Sequence, residues 1–272
     1  MDNVIALVFD FDDTLAPDTT SGFLNEIGVD VKDFWKIVQN DISDGWDSTL
    51  AYFNRMIEVS ESGKYPPITR ELLVSWGKKA PLHRGVPAIF ASLRKHLRKN
   101  FPNVKIEFFV ISSGIGDVVK NTKIADEFKG IWCSEFFYSD EKISFPKSVI
   151  SFTDKTRYLF QISKGLIGEE YSGMPFEVNK KLDSSKFYIP FKNMIFVGDG
   201  LTDVPCFALV KRNGGITIGV YDKNESAKWG KAWGFVSDGR LTNLAAADYS
   251  PKSTLYASLI MAVESIAARM GS

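Results

Sequence analysis

The sequence predicts a doubly wound α/β fold broken by one helical insertion, and three observations lead to that expectation. Apolar runs recur at 4–9, 106–111, 194–197 and 216–220, each ending in polar or glycine-rich residues. Continuous apolar runs of this kind read as strands covered on both faces, as in a parallel sheet. Helical patterns lie between them, and strands alternating with helices imply a sheet flanked by helices on both sides. The interval 17–80 is too long for an ordinary strand-to-helix connection and carries helical patterning of its own.

The first strand, Val4 to Phe9, stops at Asp10-Phe11-Asp12-Asp13-Thr14. Ligands of such sheets bind beyond the carboxyl ends of the strands, so Asp10 and Asp12 fall on the functional edge. Two carboxylates one residue apart repel unless a cation or a shared proton offsets them. A turn capped by Asp12 or Asp13 is the competing reading of the same residues. In 17–80, Trp35, Ile37, Val38, Leu50, Phe53, Met56, Ile57, Leu72, Leu73 and Trp76 stand among charged residues, with a break at Pro66-Pro67. The pattern is that of an inserted helical subdomain. Val86, Ile89, Phe90, Leu93 and Leu97 then form one apolar helix face opposite Arg94, Lys95, Arg98 and Lys99, and Pro87 suits the first turn.

The second strand, 106–111, leads to Ser112-Ser113-Gly114. A hydroxyl and close backbone amides in a loop entering a helix near Ile115 are suited to hold an anion, or only to cap that helix. Residues 134–151 alternate aromatics with polar residues around Asp140-Glu141-Lys142, which suggests a β-hairpin. A short helix is expected over 156–163, with Lys155 at its start. A cation at a helix N-terminus is electrostatically awkward unless an anion is near, so Lys155 is a candidate to hold phosphate or to offset the carboxylates. Lys147 and Lys164 are the alternatives, and a solvated surface lysine is the plainer reading.

Residues 194–197 end at Gly198-Asp199-Gly200-Leu201-Thr202-Asp203, followed by Val204-Pro205, a first helical turn. The glycines allow a tight bend, and Asp203 lies one helical turn beyond Asp199, able to reach the same ion or its water shell. A hard divalent cation such as Mg²⁺ takes a few carboxylates together with water and phosphate oxygens. Simple turn and capping roles for Asp199 and Asp203 are the alternative. A last helix over 252–269 closes the domain.

Basic and acidic residues number 33 each, so overall charge points to neither nucleic acid nor an anionic membrane surface as a partner. Cys133 and Cys206 are the only cysteines, too few for a disulfide framework or a cysteine-rich zinc site. No stretch suits a membrane span or a secretory leader, which makes a cytoplasmic protein with a small-molecule partner the expectation.

Taken in order, Asp10-Phe11-Asp12-Asp13-Thr14-Leu15, Ser112, Lys155 and Gly198-Asp199-Gly200-Leu201-Thr202-Asp203 resemble the four motifs of the haloacid dehalogenase (HAD) superfamily of phosphohydrolases, most of all its phosphoserine phosphatase-like subgroup. The resemblance implies an α/β Rossmann-like parallel-sheet core over 1–16 and 81–272, with 17–80 as an inserted α-helical cap. It implies Asp10 as the nucleophile that forms an aspartyl-phosphate, and Asp12 as the acid and then the base. Mg²⁺ would be held by Asp10, the Asp12 carbonyl, Asp199 and Asp203; Ser112, Ser113, Gly114 and Lys155 would bind the phosphoryl group. The acid at Asp12 argues for phosphatase over dehalogenase chemistry, because an alkoxide leaving group needs a proton and a halide does not.

The implied activity is hydrolysis of a small phosphorylated metabolite. A phosphotransferase or mutase of the same fold, or a phosphate-binding scaffold without turnover, are the alternatives. Phosphoserine itself is not implied: the subgroup carries a Glu soon after the first motif, where this chain has Asp18-Thr19-Thr20. Trp46 and Arg55 are the candidate cap contacts to substrate.

Overall fold

The structure, a computed structural model, describes residues 3–223, 233–234, 236 and 238–271. β1 (Val4–Phe9) leads into four helices, α1 (Thr19–Glu26), α2 (Val31–Ser43), α3 (Ser48–Glu61) and α4 (Arg70–Lys79). The chain continues through α5 (Val86–Asn100), β2 (Lys105–Ile115), α6 (Gly116–Val119), β3 (Gly130–Ser139), β4 (Lys142–Ser148) and α7 (Asp154–Lys164). It ends with β5 (Met194–Gly198), α8 (Val204–Arg212), β6 (Ile216–Tyr221), β7 (Asn243–Ala246) and α9 (Thr254–Gly271).

The strands form one sheet in the order β4-β3-β2-β1-β5-β6-β7, parallel except for the β3–β4 hairpin. This is the α/β, Rossmann-like arrangement expected. β1 lies at the centre and is buried along its whole length. Its side chains alternate between two cores, as strand geometry requires. Ile5, Leu7 and Phe9 join α5 and α9 on one face, while Val4, Ala6 and Val8 join α7 and α8 on the other. The order of connections reverses between β1 and β5, the kind of switch point where open α/β sheets present a crevice.

Residues 19–79 contribute most of a third apolar cluster, separate from the two that cover the faces of β1. Asp18, Asp30, Asp47 and Thr69 each cap one of α1–α4 by accepting backbone amides, which starts the helices where the sequence places them. Phe23, Phe34, Phe53, Met56 and Leu73 fill the interior of the cluster. Its floor comes from Ile115 of β2, Val118 of α6, Phe136 of β3 and Ile143 of β4. Phe53 stacks on Phe136 with ring centroids 4.0 Å apart, and the Ile143 amide donates to the Ile68 carbonyl at 2.9 Å.

One local expectation needs correction. Ser112-Ser113-Gly114 is not a loop before a helix: β2 runs on to Ile115, and only the four-residue α6 follows. A register shift against β3 between Ile111 and Ile115 lets the strand continue past the interruption in its pairing. The hairpin expected over 134–151 is present as β3 and β4. β3 begins at Gly130 as a parallel neighbour of β2, so the hairpin extends the main sheet. Among the described residues, no helix is long and apolar enough to cross a membrane.

Candidate active site

The carboxyl ends of four adjacent strands open onto one cavity of about 340 Å³. β1 contributes Asp10 with Asp12 and Asp13, β2 contributes Ser112, Ser113 and Gly114, and β5 leads to Asp199 through Thr202; Val220 and Tyr221 of β6 and the following Asp222 complete the lining. Motifs about 100 residues apart in sequence meet because β2, β1 and β5 are adjacent strands.

Asp10 is fixed on both carboxylate oxygens. Oδ1 accepts the Phe11 amide at 2.7 Å, and Oδ2 lies 3.0 Å from Lys155 Nζ. Lys155 is fully buried at the start of α7 and also donates to Asp203 Oδ1 at 2.7 Å. Burial alone would lower its affinity for a proton, but the Asp10 and Asp203 carboxylates outweigh that and hold it charged. Asp10 is nevertheless pushed from an ordinary 3.8 up to about 7, by burial and by Asp203, against the opposing pull of Lys155. Asp199 is raised well above the usual range by burial and by its neighbours Asp203, Asp10 and Asp13.

Asp10, Asp199 and Asp203 each bring a carboxylate oxygen within 4.8 Å of the other two. Hard oxygen donors held this close, with one lysine among them, fit a Mg²⁺ ion, because a cation relieves the repulsion that burial magnifies. Gly198 is required beside them: a Cβ there would collide with the Asp203 carboxylate.

Asp12 faces elsewhere. Its Oδ1 accepts both the Thr19 amide, at 2.8 Å, and the Thr19 hydroxyl, at 2.6 Å. Burial and the Asp18 charge push it up to about 7, against those two hydrogen bonds. Its Oδ2 lies beside Gly114, where an added Cβ would approach to 2.5 Å. Gly114→Ala is therefore expected to displace Asp12 and to lower kcat by ~10²-fold with little loss of stability; wild-type turnover would show that the carboxylate tolerates the shift. Ser112 Oγ accepts the Gly114 amide at 2.9 Å, which leaves its own proton to donate.

The raised carboxyls make the metal-free site a pH-dependent cost. A carboxyl at 3.8 when unfolded and about 7 when folded binds protons more tightly in the native state, so its contribution is fully favourable below about 4 and is lost as pH rises towards 7. In EDTA, Asp12→Asn is expected to gain Tm relative to wild type progressively between pH 4 and 7.5. A Tm difference independent of pH would contradict the burial of this charge.

Lys155, and neither alternative lysine, reaches the cluster: Lys147 pairs with Glu135 on the surface, and Lys164 donates to the carbonyls of Val178 and Lys180. Trp46 and Arg55 are corrected. Neither lines the cavity; Trp46 is 48% exposed beyond the end of α2, and Arg55 is tied to Glu58 one helical turn away. Thr19 and Tyr52 were missed, and both belong to the insertion. Tyr221 and Asp222 were missed too, although a strand at 216–220 already implied that the next residues reach this edge.

No protein-family model matches the sequence. An uncharacterized protein of Borreliella burgdorferi is 30% identical over 290 residues, spanning 94% of this chain and 95% of its own length. Among solved structures, a HAD family hydrolase of Salmonella enterica serovar Typhi superposes with a TM-score of 0.56 at 14% identity, over 89% of this chain and 66% of that one, just under two thirds. A phosphoserine phosphatase, in a structure of its phospho-aspartyl intermediate analogue, also gives 0.56, at 16% identity over 94% of this chain and 98% of its own. The chain thus belongs to one family with the Borreliella protein, and its fold is that of the HAD superfamily hydrolases in their phosphoserine phosphatase-like form.

Proposed function

We propose that this protein is a Mg²⁺-dependent phosphomonoesterase that hydrolyses a small phosphorylated metabolite through an aspartyl-phosphate on Asp10. The observation that supports it most is the division of labour between two carboxyls separated by the single residue Phe11. Asp10 is held against Lys155 beside the acidic cluster, whereas Asp12 is held by Thr19 away from it. A scaffold that only bound phosphate would have no use for a second carboxyl raised to about 7 in the same cavity.

In this reading Asp10 attacks phosphorus, and the bond to the leaving oxygen breaks as Asp12 hands that oxygen its proton. Thr19 occupies Asp12 Oδ1, so Oδ2 is the oxygen that carries the proton. In the second step Asp12 takes a proton from water, which attacks the same phosphorus and frees Asp10 and inorganic phosphate. Ser112 Oγ–H and the Ser113 backbone amide bind phosphoryl oxygens, while the Gly114 amide holds Ser112 Oγ in place. Lys155 keeps the Asp10 carboxylate oriented and offsets the charge gathered around it. Mg²⁺, held by Asp10, the Asp12 carbonyl, Asp199 and Asp203, supplies neutralisation of the phosphoryl charge. Residues 17–80 act as the cap that closes the cavity from the side of α1 and α3.

Phosphate release should be measured over a panel of amino-acid, sugar, nucleotide and amino-alcohol phosphates, with Mg²⁺ and with EDTA. Turnover of at least one small monoester, abolished by EDTA and restored by Mg²⁺, is expected. Release unaffected by EDTA would remove the metal from the proposal, and transfer to added alcohols or sugars in place of water would make the protein a phosphotransferase.

A further inference from the structure

Resting on the phosphatase reading, we propose that Tyr52, in the helical insertion, is a positioning residue for the phosphoryl-binding segment, fixing Ser113 so that the Ser113 hydroxyl serves as a ligand to the bound phosphate. Two contacts at Ser113 lead to this assignment. The Tyr52 hydroxyl donates to the Ser113 carbonyl at 2.7 Å, across 61 residues of sequence. The Ser113 Oγ is buried with no hydrogen-bond partner, on a residue that lines the cavity.

A buried hydroxyl without a partner is costly, and a site that binds an anion is one place where such a group is kept. Both neighbours of Ser113 are already engaged with the site: Ser112 Oγ accepts the Gly114 amide, and Gly114 lies against Asp12. The pairing register with β3 shifts here, between Ile111 and Ile115, so pairing with β3 alone does not hold the segment. Tyr52 supplies the missing restraint from the opposite side. Its ring is itself held between Trp35, at 5.9 Å, and Phe53, at 5.0 Å, and Phe53 stacks on Phe136 of β3. Burial and the nearby Asp12 and Asp18 charges keep the phenol protonated, hence always a donor.

The test uses inorganic phosphate as the probe, by calorimetric titration of the Mg²⁺-loaded full chain, alongside kcat and KM on the best substrate of the panel. Ser113→Ala and Tyr52→Phe remove one oxygen each and leave the packing in place. Each is expected to weaken phosphate binding by about tenfold and to raise KM more than it lowers kcat. Because Tyr52 acts through Ser113, the double variant should be no weaker than the worse single variant. Losses that multiply in the double variant, or wild-type phosphate affinity in either single variant, would overturn the inference, even if Tyr52→Phe lowers Tm. A wild-type protein that hydrolyses monoesters while both variants match it would leave the phosphatase reading standing and sink this inference alone. A wild-type protein that neither binds nor releases phosphate would remove both.

Discussion

Asp10→Asn is expected to reduce phosphate release by at least ~10⁴-fold, the scale at which loss of an attacking group acts, while leaving the protein folded. The substitution removes nucleophilicity without removing volume. Its amide oxygen still accepts the Phe11 amide, and Lys155 keeps Asp203 as a partner. The loss of one ion pair is offset by the loss of a carboxylate that repels Asp199 and Asp203 in the metal-free state. Tm in EDTA should therefore stay within a few degrees of wild type, whereas the gain in Tm on adding Mg²⁺ should shrink. Residual turnover above about one per cent would mean that another group attacks phosphorus, and the proposed chemistry would fall with it.

Lys155→Met carries the largest expected effect on stability. The ammonium lies between Asp10 and Asp203 with no exposure, so its removal leaves two buried carboxylates facing each other and Asp199. Breaking a buried pair in this way costs on the order of 3–5 kcal/mol, because the desolvation of the remaining charge is no longer offset. Chemical denaturation should show it, and adding Asp203→Asn should recover part of the loss, since the second change removes the stranded charge. A Lys155→Met protein as stable as wild type would mean that water or a cation reaches the cluster. Activity is expected to fall with stability, because Lys155 also orients Asp10.

What could be read from the chain follows from which interactions are local. The apolar run 4–9 and its terminal Asp10 needed only the rule for buried strands, and Gly198 to Asp203 needed only turn and cap chemistry. Lys155 could be singled out because a cation at a helix start wants an anion, and the structure supplies two carboxylates. Thr19 and Tyr52 carried no such mark. Each reaches the site only because the insertion folds back over β1 and β2, a long-range packing result that helical periodicity does not encode. Trp46 and Arg55 were selected for residue type, but Trp46 lies in the connection between α2 and α3, and Arg55 sits on a face of α3 where it pairs with Glu58. Ser112 to Gly114 looked like a loop because serine and glycine are poor strand formers. A register shift that let pairing with β3 resume at Ile115 overrode that preference.

The apolar interior of α1–α4 borrows Ile115, Val118, Phe136 and Ile143 from the sheet side of the molecule. The insertion therefore lacks a complete core of its own, and the β3–β4 hairpin would have a bare apolar surface without it. The two cannot diverge separately: exchanging the insertion for that of a relative, to redirect specificity, would require transplanting the hairpin with it.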